Sequence, residues 1–128
     1  MAPIDLVERG ETTAQAVLAV PVLLLFLFFG VQVSMYFNTA QLAAIAAQDG
    51  AIAGSIAGGS EIRAIAAAVK SMAEQRASEG KTPEARIDNG LIEVKVILYV
   101  PSIVPFFPTL VTRSASEPLE RFVLEVDR

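Results

Sequence analysis

The chain has 128 residues and a formal net charge of -4, and it contains no cysteine and no histidine. The acidic balance gives no electrostatic footprint for nucleic acid or for anionic lipid. Without cysteine and histidine the chain lacks disulfides, thiolate ligands, the commonest general base and the commonest metal ligand. We therefore expect neither catalysis nor a metal or cofactor site, and a function that depends on assembly.

The first ten residues carry three charged side chains, Asp5, Glu8 and Arg9, and Pro3 and Gly10 interrupt them. This composition predicts a mobile leader over residues 1–10. Arg9 is the basic residue nearest the apolar stretch that follows, and the next basic residue is Arg63. Basic residues are enriched on the cytoplasmic side of a membrane span, so this distribution favours a cytoplasmic N-terminus and an exported C-terminus.

A stretch without charged residues runs over positions 12–48, and positions 16–37 are its most apolar part. About 20 apolar residues of helix cross a hydrocarbon core of about 30 Å. The stretch therefore predicts one transmembrane helix within residues 11–59. There are two alternatives. One is a core helix, which the remaining chain is too small to enclose. The other is a cleaved secretory signal, but the apolar region of such a signal is usually shorter and follows positively charged residues.

Three residues near the start of this stretch bear on the shape of the helix. Thr12 or Thr13 is suited to cap the helix N-terminus. Pro21 removes one backbone hydrogen bond inside the helix. The result is either a kink that the helix tolerates or part of a packing site.

No helix breaker separates the apolar stretch from residues 38–59, so one long helix is predicted to leave the membrane. Small residues dominate this extension, in two parallel stripes: Ala43, Ala47 and Ala51, and Gly50, Gly54 and Gly58. Glycine costs a helix about 1 kcal/mol relative to alanine. The stripes therefore indicate either close approach of another backbone or a helix that frays toward its end. In the first case, helix packing is expected along Pro21, Gly30 and this small-residue face.

Residues 60–128 are predicted to form a small extracytoplasmic domain. Ser60 is suited to cap an amphipathic helix that stops near Gly80. Asn89-Gly90 is typical of a type I′ turn between strands at 84–88 and 91–100, and further strand is expected at 110–116 and 119–126. The predicted fold class is α+β, with a long transmembrane helix, a second amphipathic helix and an antiparallel sheet of three or four strands.

The sequence PSIVPFFPTL, residues 101–110, contains three prolines, which exclude a central strand. Its apolar side chains either cover the core as a loop or dip into the membrane surface.

Two further features are candidates for sites of chemistry. The segment GSIAGGS, residues 54–60, is glycine-rich but lacks the lysine and the preceding strand of a phosphate-binding loop. Glu117, Glu120 and Glu125 have no histidine or second acidic cluster beside them in the sequence. We interpret them as solvated charges on a strand.

The junction ERGETTAQAVLAVPVLLLFLFFG resembles the N-terminus of the TadE-like family, the minor pseudopilins of tight-adherence (Flp) pilus systems. In that family a basic residue and glycine precede an apolar helix with an early proline, and Arg9, Gly10 and Pro21 match. The segments AAIAAQDGAIAGS, EVKVILYVPSIVPFFP and RSASEPLE also resemble the family in order, so the resemblance covers most of the chain.

The resemblance implies that a prepilin peptidase on the cytoplasmic side cuts between Gly10 and Glu11. At the fifth position after the cut the family usually has Glu, which pairs with the N-terminal amine of a neighbouring subunit. This chain has Gln15 there, which offers an amide hydrogen bond instead.

The partners implied by the resemblance are the lipid bilayer, other pilin-like subunits, platform proteins of pilus assembly and the prepilin peptidase. The implied function is that of a minor pseudopilin-like subunit that helps initiate, anchor or assemble a pilus or pseudopilus. The alternative is an uncleaved single-pass module that is tethered to the membrane and binds a partner.

Overall fold

The computed structural model of the protein describes the backbone of residues 3–77 and 79–121, and the side chains within these ranges from residue 9 onward. In chain order the elements are helix α1 (Pro3–Ser55), a 3₁₀ turn (Ile56–Gly58), helix α2 (Glu61–Glu74) and strands β1 (Glu84–Asp88), β2 (Leu91–Tyr99) and β3 (Leu110–Pro118). The predicted α+β class is confirmed, with three antiparallel strands in the part of the chain described.

Helix α1 has 53 residues and is about 80 Å long at a rise of 1.5 Å per residue. It begins at Pro3, where the missing N–H and the fixed φ of proline suit the first helical position. The predicted helix start at Thr12 or Thr13 is therefore wrong. The Thr13 hydroxyl donates to the carbonyl oxygen of Arg9, one turn back inside the helix, at 2.8 Å. Pro21 lies within the same helix.

The end of α1 lies at Ser55, before the predicted end at residue 59. Ala57, Gly58 and Gly59 follow with φ values of 53°, 82° and 94°. This left-handed run reverses the chain, and glycine tolerates it because glycine has no Cβ. Gly58 therefore lies outside the helix and does not continue the stripe of Gly50 and Gly54.

Helix α2 runs back along α1. The hydroxyl of Ser60 accepts a hydrogen bond from the Arg63 N–H at 3.2 Å, which confirms the predicted cap. Gly54 faces Ala64, and Asp49 accepts a hydrogen bond from Ser71. A residue later in α2 therefore contacts a residue earlier in α1. The two helices are antiparallel.

The sheet has the order β1-β2-β3. Asp88 pairs with Leu91 across the hairpin, and Asn89 and Gly90 have φ values of 50° and 77°, as a type I′ turn requires. Strand β2 pairs with β3 along its whole length. The predicted buried face of β2 is confirmed, since these side chains are buried: Ile92, Val94, Val96, Leu98 and Val100.

The core lies between this face of the sheet and the two helices. The helix side is built from alanines: Ala40, Ala43, Ala46, Ala47 and Ala51 of α1 and Ala64 and Ala68 of α2. The sheet side is built from branched aliphatic residues. Because the helix side chains are short, the sheet and α2 both approach α1 closely.

The chain leaves the sheet after Pro118, which pairs with Leu91, the first residue of β2. No further β2 backbone remains to pair with. The N–H of Leu119 donates to the Gly90 carbonyl at 2.9 Å, and that of Glu120 donates to the Ser55 carbonyl at 3.0 Å. The predicted strand at 119–126 is therefore wrong for residues 119–121, and its remainder lies outside the described residues.

Candidate functional site

The first part of α1 stands free of the folded domain. Every residue of α1 from Arg9 to Val31 is exposed, which is a length of about 34 Å at 1.5 Å per residue. Large apolar side chains cover it, and Leu18 and Phe26 are 72% and 70% exposed. This segment is long and apolar enough to cross a membrane, and almost none of it is buried. It is therefore no core helix, and it supports a single-pass, membrane-anchored protein. We call residues 9–31 the exposed segment.

The predicted cleavage and assembly residues lie on the exposed segment. Gly10 and Glu11 are neighbours in one turn at its N-terminal end, Gln15 lies about one turn further on, and all three are exposed. Pro21 and Gly30 are exposed as well, and a methyl group built on Gly10 or Gly30 would meet nothing within 4 Å. The structure thus leaves these five positions accessible to a peptidase, to lipid or to a neighbouring helix.

The small-residue face lies elsewhere, inside the domain. Ala43 and Ala47 are fully buried in the core. A methyl group built on Gly50 would lie 2.8 Å from the carbonyl oxygen of Ala64, and one built on Gly54 would lie 2.6 Å from the Ala64 Cβ. Another backbone does approach these glycines, and it belongs to α2 of the same chain.

Two sequence interpretations change as a result. Fraying does not account for Gly50 or Gly54, because both lie in regular helix against packed neighbours. Packing between subunits is also revised for Ala43, Ala47, Gly50 and Gly54, since the chain's own core covers them. Gly58 is exposed beyond the helix end.

Sequence reasoning missed Gln32, which follows the exposed segment directly. Its side chain is fully buried. Its Oε1 accepts hydrogen bonds from the N–H groups of Ile103 at 2.7 Å and Val104 at 3.3 Å, and its Nε2 donates to the Pro101 carbonyl at 3.0 Å. A single amide in an otherwise apolar helical stretch is the signal that could have pointed to it, because a buried amide requires partners.

Gln32 joins α1 to the segment between β2 and β3, residues 101–109, which we call the proline loop. The ring of Phe107 meets the rings of Phe29 and Tyr36 edge to face, at centroid distances of 6.1 and 5.9 Å. Ile103 and Phe106 point away from the protein and are exposed. The proline loop therefore packs along α1 at the boundary of the exposed segment.

Two carboxylates, those of Asp49 and Glu117, form hydrogen bonds within the domain. Asp49 Oδ2 accepts from the Ser71 hydroxyl at 2.6 Å, and Glu117 Oε1 accepts from the Gln48 amide at 2.6 Å. Within the described ranges, no group of three Asp, Glu, His or Cys residues could hold a metal ion.

Residues 10–51 match the family model described as TadE-like protein. The match begins at Gly10 and covers the exposed segment from there onward together with the core alanines of α1. No curated protein and no solved structure shows significant similarity to the chain. The matched family is the one that the N-terminal junction of the sequence resembles. The match confirms the predicted resemblance over residues 10–51, which are about a third of the chain.

Proposed function

We propose that the protein is a minor pseudopilin-like subunit that helps initiate, anchor or assemble a tight-adherence pilus or pseudopilus. In this role it is not an enzyme. Its N-terminus is cytoplasmic, its domain is extracytoplasmic, and its partners are the bilayer, other pilin-like subunits, platform proteins of pilus assembly and a prepilin peptidase.

The observation that carries this proposal is the exposed segment itself. It is a mostly apolar stretch of α1, about 34 Å long, that projects from the folded domain, and Gly10 and Glu11 lie near its N-terminal end. Exposed apolar surface of this extent requires lipid or other apolar helices around it. The same surface contacts lipid while the subunit is in the membrane. After the subunit leaves the membrane, this surface packs against the helices of neighbouring subunits.

Gly10 gives the proposed cleavage site a physical rationale. In the helix its carbonyl group lies in the backbone hydrogen-bond ladder, so a peptidase must open this turn to reach the bond before Glu11. Glycine makes local opening easier, because it disfavours helix by about 1 kcal/mol relative to alanine. A side chain at position 10 would also occupy the space that the enzyme approaches.

The first experiment determines the N-terminal residue of the mature protein by intact mass from native membranes. A start at Glu11 is expected, and Gly10→Ala should leave the full-length chain to accumulate while the domain folds normally, since a methyl there meets nothing within 4 Å. Gly30→Ala, which is equally unobstructed, is the matched control and should be processed like the wild type. A start near residue 40 or beyond would instead reveal a cleaved secretory signal and contradict the proposal.

A second experiment tests assembly. Because the chain has no cysteine, a single cysteine at Leu24 of the exposed segment and one at Ala73 on the exposed side of α2 can be compared directly. Cross-links to pilin-like subunits are expected from position 24 and not from position 73. Equal cross-linking from both would show that the helix does not direct assembly.

Two observations favour the second candidate, an uncleaved membrane-tethered binding module. The helix runs without a break from Pro3 through Gly10, and Gln15 cannot form the ion pair that the family resemblance implies at this position. A mature protein that starts at Met1 or Ala2 and does not cross-link through position 24 would establish this alternative.

A further inference from the structure

The proline loop carries an apolar tip that the protein leaves uncovered. Phe106 is fully exposed, and Ile103 is 51% exposed. The φ of Phe106 is +68°, a region that a bulky side chain rarely adopts. The loop thus holds an aromatic ring outward in an unfavourable backbone conformation, which is unusual for a side chain that meets only water.

The loop is also free of charge. No charged residue occurs between Lys95 and Arg113. Two other connections have charged residues beside them: the β1–β2 turn is flanked by Asp88, and Arg76 follows α2. The proline loop is therefore an uncharged surface at the end of the domain that carries the exposed segment.

The position of the loop along α1 is fixed by Gln32. The exposed segment ends one residue earlier, and its uncharged part, residues 12–31, is about 30 Å long, which matches a hydrocarbon core of about 30 Å. Val104 of the loop also lines an open apolar groove with Val22, Leu25, Phe26 and Phe29 of α1. If α1 spans the membrane, the loop must lie at the membrane boundary beside it.

The backbone of the loop is suited to this boundary, where an unpaired polar group is costly. Pro101, Pro105 and Pro108 have no N–H to satisfy. The N–H groups of Ile103 and Val104 bond Gln32. The Ser102 hydroxyl donates to the Val104 carbonyl at 2.9 Å. These arrangements reduce the number of groups that would otherwise need water.

We propose that the proline loop inserts Ile103 and Phe106 into the lipid interface beside α1, as a second membrane contact of the domain. Aromatic side chains are enriched at this level of the bilayer. With α1 alone, the domain could tilt and rotate about the helix axis. The second contact fixes the orientation of the sheet relative to the membrane. This inference depends on membrane insertion of α1, but not on the role in a pilus.

The test uses the full-length protein in vesicles of phosphatidylcholine and phosphatidylglycerol. A single cysteine replaces Phe106 and is labelled with an environment-sensitive fluorophore, and lipids brominated on their acyl chains quench a label that enters the bilayer. Leu24→Cys is the control inside the membrane, and Ala73→Cys is the control in water. Ile103→Cys gives a second position on the loop in case the first variant folds poorly.

We expect quenching at position 106 of at least about half of that at position 24, since interfacial rings lie just above the acyl chains, and none at position 73. If the label at position 24 is quenched while the labels at positions 106 and 103 are exposed to water, the loop contact is overturned and insertion of α1 is not. Iodide added to the buffer quenches a label that is exposed to water. A label at position 106 that neither the brominated lipid nor iodide quenches would place the loop against a second copy or another protein, and this result would also overturn the proposed loop contact. Absence of quenching at position 24 would refute insertion of α1 together with the loop contact.

Discussion

The side-chain oxygen of Gln32 accepts a hydrogen bond from the backbone N–H of Ile103 at 2.7 Å, across 71 positions of sequence. This contact ties the membrane-proximal turn of α1 to the loop that joins β2 and β3. The helix and the sheet are thereby connected at the end of the domain that faces the exposed segment.

We predict that Gln32→Leu destabilises this junction. The substitution leaves the N–H groups of Ile103 and Val104 and the Pro101 carbonyl without their partner, and each hydrogen bond lost costs about 0.5–1.5 kcal/mol. Thermal unfolding in detergent micelles should occur at a lower temperature, and amide hydrogen exchange at Ile103 and Val104 should accelerate. Gln41→Leu, at an exposed position of the same helix, is the control. Unchanged exchange at the two amides would contradict the prediction.

A second prediction compares two glycines of α1. Alanine at Gly50 would place its methyl group 2.8 Å from the Ala64 carbonyl oxygen, whereas alanine at Gly30 meets nothing within 4 Å. Overpacking of a close-packed core costs typically about 1–3 kcal/mol, which exceeds the gain in helix propensity of about 1 kcal/mol. Gly50→Ala should therefore lower the free energy of unfolding of the domain in urea, and Gly30→Ala should leave it unchanged or higher. Equal stability of the two variants would show that α2 does not approach α1 this closely.

A third prediction concerns the bond between the antiparallel helices. The buried hydroxyl of Ser71 donates to Asp49 at 2.6 Å and accepts from Gln75 at 2.7 Å. Because hydrogen bonds to charged groups contribute about 1.5–3 kcal/mol, Ser71→Ala should lower the free energy of unfolding by about that amount. Ser114→Ala, at an exposed position of β3, should change it little. A loss of similar size in both variants would mean that the Ser71 bond contributes no more than a surface hydroxyl.

A fourth prediction concerns Gln15 and follows from the proposed function. If the N-terminal amine of a neighbouring subunit lies near this side chain, Gln15→Glu replaces an amide hydrogen bond by a charge-assisted one, a gain of about 1 kcal/mol or roughly fivefold in affinity. Co-purification with pilin-like subunits should increase in Gln15→Glu and decrease in Gln15→Leu. Identical recovery of partners with all three residues would exclude a role for position 15 in assembly.

Local patterns predicted most of the elements correctly. The hairpin at Asn89-Gly90 and the cap at Ser60 are each set by residues within a few positions, so turn and capping chemistry sufficed. The alternation along β2 identified its buried face for the same reason. The start of α1 was predicted too late, because Thr12 and Thr13 are good caps but Pro3 is also an acceptable first helical residue.

Residues whose roles depend on distant partners were not predictable in this way. The stripe of Ala43, Ala47, Gly50 and Gly54 signalled a close backbone contact, yet α2 of the same chain and α2 of another subunit would leave the same pattern. Gln32 gave only a weak signal, because its partners lie about 70 positions away. Apolar residues continue to occur at alternate positions after Leu119, so the sequence predicts more strand there. Only the register of β3 against β2 shows that the sheet has ended.

By itself, the sequence determined that the chain has one long apolar helix, a second amphipathic helix and an antiparallel sheet, because helix and strand periods and turn chemistry are local properties. It also carried the resemblance to the TadE-like family. Only the tertiary structure decided which faces are available. It buried the small residues against α2, left residues 9–31 exposed, and fixed the proline loop to α1 through Gln32. The physical reason is that burial and hydrogen bonding between distant segments depend on how the elements pack together.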